Sequence, residues 1–352
     1  MSSTGRAVGV FAAVSVLFGG TFVAAKSGLA YFPPLLFVSL RFDVAAVGMV
    51  AFVALTRSRA ELLPRTRGDV AGVLATGVFS VCLANALLFV GQRSASSGVA
   101  AVVFSLNPIL TPVFAGVLLG DERLSRRGVL GLLVGLLGVA LVVDPSPASL
   151  LAGGFGKALF LAAAASAALG SVLVRRADGD LSSAVRTTWG VLVGAALTHV
   201  LSLATGESLA AVSWTPRAVL ALGYVGVFAG TVAYVGYFAL LDGRGAIRAN
   251  LVYYLTPVVA ALGGWALLGE SVSALTLAGF LVVFVGFAVI GSASVDVRDV
   301  LPGGLPSVRP TVSRPMASRD AGRRDQTTAG TSSHSRGSSS ASSSPTRAAE
   351  AD

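Results

Sequence analysis

The sequence predicts an all-α integral membrane protein with ten transmembrane helices arranged as two inverted five-helix repeats. Three observations lead there. Apolar residues make up 54% of the 352 residues and charged residues only 12%, a balance foreign to soluble domains. Apolar runs of helical length recur ten times. A Pro-centred segment of the first half reappears in the second.

A hydrocarbon core of about 30 Å takes about 20 mostly apolar residues per helix. Such runs cover 8–29, 35–56, 69–91, 97–119, 127–143, 153–174, 184–204, 215–240, 246–268 and 274–293, with short connections. They are continuous rather than alternating and rich in Ala, Leu, Val and Gly, which favours helices over barrel strands. A helix also satisfies its own backbone in lipid. The first run is preceded only by Arg6 and is too long and Gly-rich for a signal peptide, so it reads as a retained helix. Cys82 is the single cysteine, which excludes an intramolecular disulfide, and His199 and His334 are the only histidines. No Cys/His metal cluster and no cofactor are expected.

Lys and Arg collect in cytoplasmic loops. With the N-terminus inside, the inner segments hold Arg6, Arg57, Arg59, Arg65, Arg67, Arg123, Arg126, Arg127, Arg175, Arg176, Arg186, Arg244 and Arg248, thirteen in all; the outer set is Lys26, Arg93, Lys157 and Arg217. Both termini are therefore expected in the cytoplasm, the protein in the cell membrane. The +9 charge reads as topology plus a basic tail, with the arginines near lipid headgroups and no nucleic-acid partner. Residues 298–352 turn to Ser, Thr, Gly, Pro and Arg without Phe, Tyr or Trp. A disordered cytoplasmic tail is expected there.

The first copy of the repeat reads SASSGVAAVVFSLNPILTPVFAGVLLGDERLSRRGVLGLLVGLLGVALVV and the second RGAIRANLVYYLTPVVAALGGWALLGESVSALTLAGFLVVFVGFAVIGS. Pro108 matches Pro257, Gly120 matches Gly269 and Leu106 matches Leu255 at an offset of 149; Glu122 with Glu270, Gly131 with Gly279 and Gly138 with Gly286 follow at 148. Shared composition does not produce ordered Pro, Glu and Gly landmarks. Further back, SVLFGGTFVAAK from Ser15 resembles SAALGSVLVRRA from Ser166. The units are thus 8–143 and 153–293, each with five helices. An odd count makes the second unit enter from the opposite side, the inverted arrangement of many secondary transporters.

FGGTFVAAK, the SLRF of the second run and the duplicated Pro-to-Glu block resemble the EamA-type family of the drug/metabolite transporter superfamily. The resemblance spans roughly residues 8–293. It implies a ten-helix carrier for small metabolites, an exporter of amino acids or related polar compounds, working by alternating access, with helices 5 and 10 peripheral. This chain departs from the family pattern at Ser271, which follows Glu270 where a base is usual, and at Pro112, a second break in the fourth helix.

Polar residues at membrane depth are costly and normally face the bundle interior. On the third helix Cys82, Asn85, Phe89 and Gln92 share a face. The repeat carries Cys82 to Thr231 and Asn85 to Tyr234, and Tyr237 extends that eighth-helix face. These residues are read as cavity lining, against the alternative that they only join neighbouring helices. On the ninth helix Asn250, Tyr253, Tyr254 and Pro257 form a stripe; Pro257 frees a carbonyl near residue 253 that could bind substrate, or simply kinks the helix. Asn107 and Pro108 are the related element of the fourth.

Arg41 and Asp43 point apart on one helix. Two readings stay open: Arg41 meets a substrate carboxylate or phosphate and Asp43 carries a coupling proton, or each pairs with another helix for packing. Lys26 is expected to snorkel, and Glu122 and Glu270 to cap or hinge. Gly131/Gly135 and Gly226/Gly230 suit close helix contact, within the chain by preference, with a homodimer as the alternative.

Other functions fit less well. GGFGKAL at 153–159 mimics a phosphate loop but has Ala158 in place of the hydroxyl residue. Neither HExxH nor GxSxG occurs, so no catalytic residue is assigned and no enzyme is expected. A channel would need a continuous polar stripe.

Overall fold

The computed structural model describes residues 3–119, 126–143, 155–244, 249, 251–271 and 273–294. The expected tail, Glu122 and Asn250 lie outside them. Among the described residues every regular element is helical: α1 (Ser3–Gly28), α2 (Pro34–Thr56), α3 (Arg67–Gln92), α4 (Ser97–Leu118), α5 (Arg126–Val143), α6 (Phe155–Ala177), α7 (Ser183–Ala204), α8 (Pro216–Leu241), α9 (Val252–Leu268) and α10 (Ala274–Ser294). Seven of the described helices, α1 to α4 and α6 to α8, are long and apolar enough to cross a membrane; Val129–Val142, Val252–Leu268 and Ala274–Gly286 are shorter apolar stretches.

The helix starts follow local chemistry. Pro34 sits in the first turn of α2, where a missing N–H costs nothing. Thr66 and Asp69 form a capping box at α3, and Ser96, Ser182 and Thr215 cap α4, α7 and α8. Carboxylates reach other helices too. Glu270, after α9, accepts from the Ser97 N–H at 2.9 Å and from its hydroxyl. Glu207, after α7, accepts from the Leu35 and Leu36 N–H groups at 3.3 and 2.7 Å. Asp69 accepts from Asp180 and Leu181 at 2.8 and 2.9 Å. Each ties one half of the chain to the other and places negative charge near unpaired helix-start N–H groups.

Two features depart from plain α-helix. α3 is π-helical over Thr76–Leu83 and α8 over Tyr224–Val232, so the two π stretches lie at the repeat offset. α4 is broken at 105–106 and restarts at Asn107 with Pro108 in its first turn; Pro108 has no N–H for the Phe104 carbonyl four residues back.

Helix neighbours run in a closed order: α1, α8, α2, α7, α3, α6, α4, α9 and back to α1. Exchanging each helix with its repeat mate maps this ring onto itself. α5 and α10 pack against each other through glycine. A Cβ at Gly138 would lie 2.9 Å from the Gly279 carbonyl, and one at Gly286 would lie 2.6 Å from the Gly135 nitrogen and 2.9 Å from the Gly131 carbonyl. Gly226 lies against Val44, and Gly230 against Ala45. These expected small-residue contacts are thus made within the chain.

Candidate functional site

Arg41 lies on α2 with 7% of its surface exposed. Its Nη2 donates to Asn85 Oδ1 at 3.1 Å, and its guanidinium carbon sits 4.4 Å from the Phe42 ring centroid and 4.9 Å from that of Phe89, within cation–π range. Nε and Nη1 are buried without an acceptor among the described residues. The Asn85 amide donates to the Ser80 and Val81 carbonyls at 3.1 and 2.8 Å, so the end of the π stretch holds the side chain that receives Arg41. A π turn inserted into an α-helix often marks a functional position.

From the other half, Tyr234 on α8 comes within electrostatic range of Arg41. Its ring is 5.3 Å from Phe18 of α1, edge-on; Phe18 stacks on Tyr253 of α9 at 6.0 Å and approaches Tyr237 at 6.2 Å. Arg41 and Asn85 therefore meet, and Tyr234, in electrostatic range of Arg41, belongs with Tyr237 and Tyr253 to an aromatic cluster centred on Phe18.

The other candidates lie elsewhere. Gln92 is fully buried and donates to the Phe22 carbonyl at 3.1 Å, while Lys26 Nζ donates to the Gln92 carbonyl at 2.6 Å; Lys26 thus bonds to α3 as well as lying near a helix end. Thr231 reaches the Ala45 and Gly226 carbonyls at 3.5 and 3.4 Å, a contact to α2. Cys82 is buried, and Tyr254 packs against the main apolar core. Asn107 accepts from the Thr111 hydroxyl at 3.3 Å. Pro257 stays inside α9. Asp43 pairs with His199 Nε2 on α7 at 2.8 Å.

Sequence reasoning missed Phe18, Phe42 and His199 as partners. The two Phe are indistinguishable from packing residues in an apolar run; for His199, an imidazole inside a span was the available signal. A cavity of about 340 Å³ lies away from Arg41, lined by Tyr31, Phe32, Arg93, Glu207 and Ser213 among others. Among the described residues no group of His, Cys, Asp and Glu could hold a metal ion.

Long apolar helices, a fold that repeats its contacts between halves and polar groups gathered inside define a multi-pass membrane protein of duplicated helical architecture. The sequence pattern of the EamA-like transporter family matches residues 5–144 and again 154–292, and the chain belongs to that family. It is similar to an uncharacterized transporter of Archaeoglobus fulgidus, 27% identical over 79% of this chain and 96% of that one. It is likewise similar to the uncharacterized inner membrane transporter YedA of Escherichia coli K12, 29% identical over 75% and 84%, and to the WAT1-related protein At3g02690, chloroplastic, of Arabidopsis thaliana, 26% identical over 77% and 66%. A crystal structure shares the fold with a TM-score of 0.58 over 81% of this chain and 97% of the other, at 24% identity.

Proposed function

We propose that this protein is a secondary transporter of small polar metabolites, amino acids or related compounds, working as an exporter by alternating access between two inverted five-helix halves. The observation that carries this reading is the Arg41–Asn85 pair buried in the first half at the place where α8 of the second half packs on α2 through Gly226 and Thr231. A site between repeats is where such carriers bind. The self-mapping ring and the matched π stretches support the inversion. The three shorter apolar helices then complete ten crossings, which leaves both termini in the cytoplasm and the arginine-rich loops on the inner face of the cell membrane.

Substrate counterflow in proteoliposomes tests it, with labelled amino acids, organic anions and nucleosides. Saturable exchange is expected in the wild type, with loss in both Asn85→Ala and Tyr234→Ala. Exchange untouched by either variant would remove this site from transport, and folded protein that exchanged nothing across the panel would defeat the carrier reading.

A further inference from the structure

We propose that Arg41 recognises the carboxylate of a small monoanionic or zwitterionic organic acid, whose less polar body lies against Tyr234 and Phe18; this rests on the carrier reading above.

The inference starts from charge. Arginine does not deprotonate in proteins, so the Arg41 guanidinium is a buried cation, and a buried charge is stable only when it is paired. Its protein partners are a neutral amide and two phenylalanine rings. Nε and Nη1, which carry most of the guanidinium's N–H bonds, have no acceptor among the described residues.

Four carboxylates among the described residues are engaged elsewhere. Asp43, two residues along the same helix, is held by His199 at 2.8 Å. Asp69, Glu207 and Glu270 accept backbone N–H groups at or beside helix starts. Among the described residues this leaves no carboxylate for the guanidinium, and a bound anion would supply the missing counter-charge.

The surroundings narrow its chemistry. A planar carboxylate matches the planar guanidinium. A doubly charged phosphate would need further donors, yet the Asn85 amide is bound to the Ser80 and Val81 carbonyls and Phe42 and Phe89 form flanking walls. Beyond Tyr234 the aromatic cluster offers rings rather than charges, suited to an apolar body. Tyr234 comes from the half opposite Arg41, so an acid bound this way would touch both halves.

The test is counterflow of labelled 4-methylpentanoate, phenylacetate and L-leucine in proteoliposomes, each challenged with the unlabelled acid and with its primary amide. At least one acid is expected to exchange, with the amide failing to compete. Arg41→Gln should lower exchange by at least roughly tenfold, with Arg41→Lys retaining part of it. Asn85→Asp would seat a protein carboxylate on the guanidinium; it should also block exchange while melting above Asn85→Ala. Competition by the amide equal to that of the acid, wild-type exchange by Arg41→Gln, or exchange of none of the acids overturns the proposal.

If Arg41→Gln does not fold, thermal shifts of detergent-solubilised wild type decide: phenylacetate should raise the melting temperature and phenylacetamide should not, and equal shifts or none count against the site. Labelled uridine and putrescine in the same vesicles separate the two readings. Their exchange without that of any acid keeps the carrier and removes acid recognition, whereas exchange of nothing removes both.

Discussion

Arg41 and Asp43 stand two residues apart on α2, and the same helix gives them opposite circumstances. Arg41 turns into the bundle, where it is 7% exposed and meets a neutral amide, two rings and no carboxylate. Asp43 turns to the seam between α2 and α7, stays about half exposed at 47%, and is matched by His199. Among the described residues the carboxylate has a side-chain partner on a neighbouring helix, and the guanidinium has no carboxylate. A buried charge left without a partner is destabilising, so it draws attention as a binding position, while a satisfied pair at a helix seam reads first as a tie between the halves. Of the two readings of Asp43 open in the sequence, coupling proton or packing, the contact with His199 is compatible with both.

The comparison can be broken most severely at Gly226. A Cβ there would lie 2.7 Å from Val44 and 3.2 Å from the Arg41 carbonyl, so Gly226→Leu must force α8 away from the α2 segment that carries Arg41. Overpacking of this kind costs about 1–3 kcal/mol. A lower melting temperature and loss of exchange in proteoliposomes are expected; unchanged exchange would show that the approach of α8 to Arg41 does not matter for transport.

A smaller effect is expected across the seam. A double-mutant cycle of Asp43→Asn and His199→Ala, read by thermal or denaturant unfolding in detergent, should give a coupling of about 1 kcal/mol or less, because both side chains are partly exposed. Additive single effects would mean that the 2.8 Å contact contributes nothing measurable.

The smallest effect is expected at a carboxylate fully satisfied in water. In the loop between α2 and α3, Glu61 accepts from the Ser58 N–H and hydroxyl, both at 2.9 Å, and these bonds hold its carboxyl below the ordinary glutamate range. The stabilisation is present above the unfolded-state pKa and is lost as pH falls through the lower folded-state value. Glu61→Gln should therefore melt slightly below wild type at neutral pH and converge with it in acid. A difference that grew on acidification would contradict this sign.

The residues of the site differ in how readable they were. Asn85 and Tyr234 stood out because polar groups are rare in apolar runs and the repeat placed them at equivalent positions. Pro108 announced the break in α4 because a missing N–H leaves the same mark in any surroundings. The π stretches were not legible, since a shift in hydrogen-bond register leaves no sign in a run such as TGVFSVCL. Phe18 was hidden for a related reason: its importance lies in touching Tyr234, Tyr237 and Tyr253, which no local pattern encodes.

By itself the sequence determined the membrane class, the duplication, the opposed directions of Arg41 and Asp43 and the residues able to bind polar groups. These depend on apolar run length, side-chain period and the cost of burying polarity. The tertiary structure decided which of the two charges faces inward, which carboxylates are committed to the start of a distant helix, and that Asn85 receives the guanidinium. Those outcomes depend on how far each helix is rotated and how closely it approaches its neighbours. Backbone contacts such as those at Gly226, Gly138 and Gly286 set these quantities between segments well over a hundred residues apart.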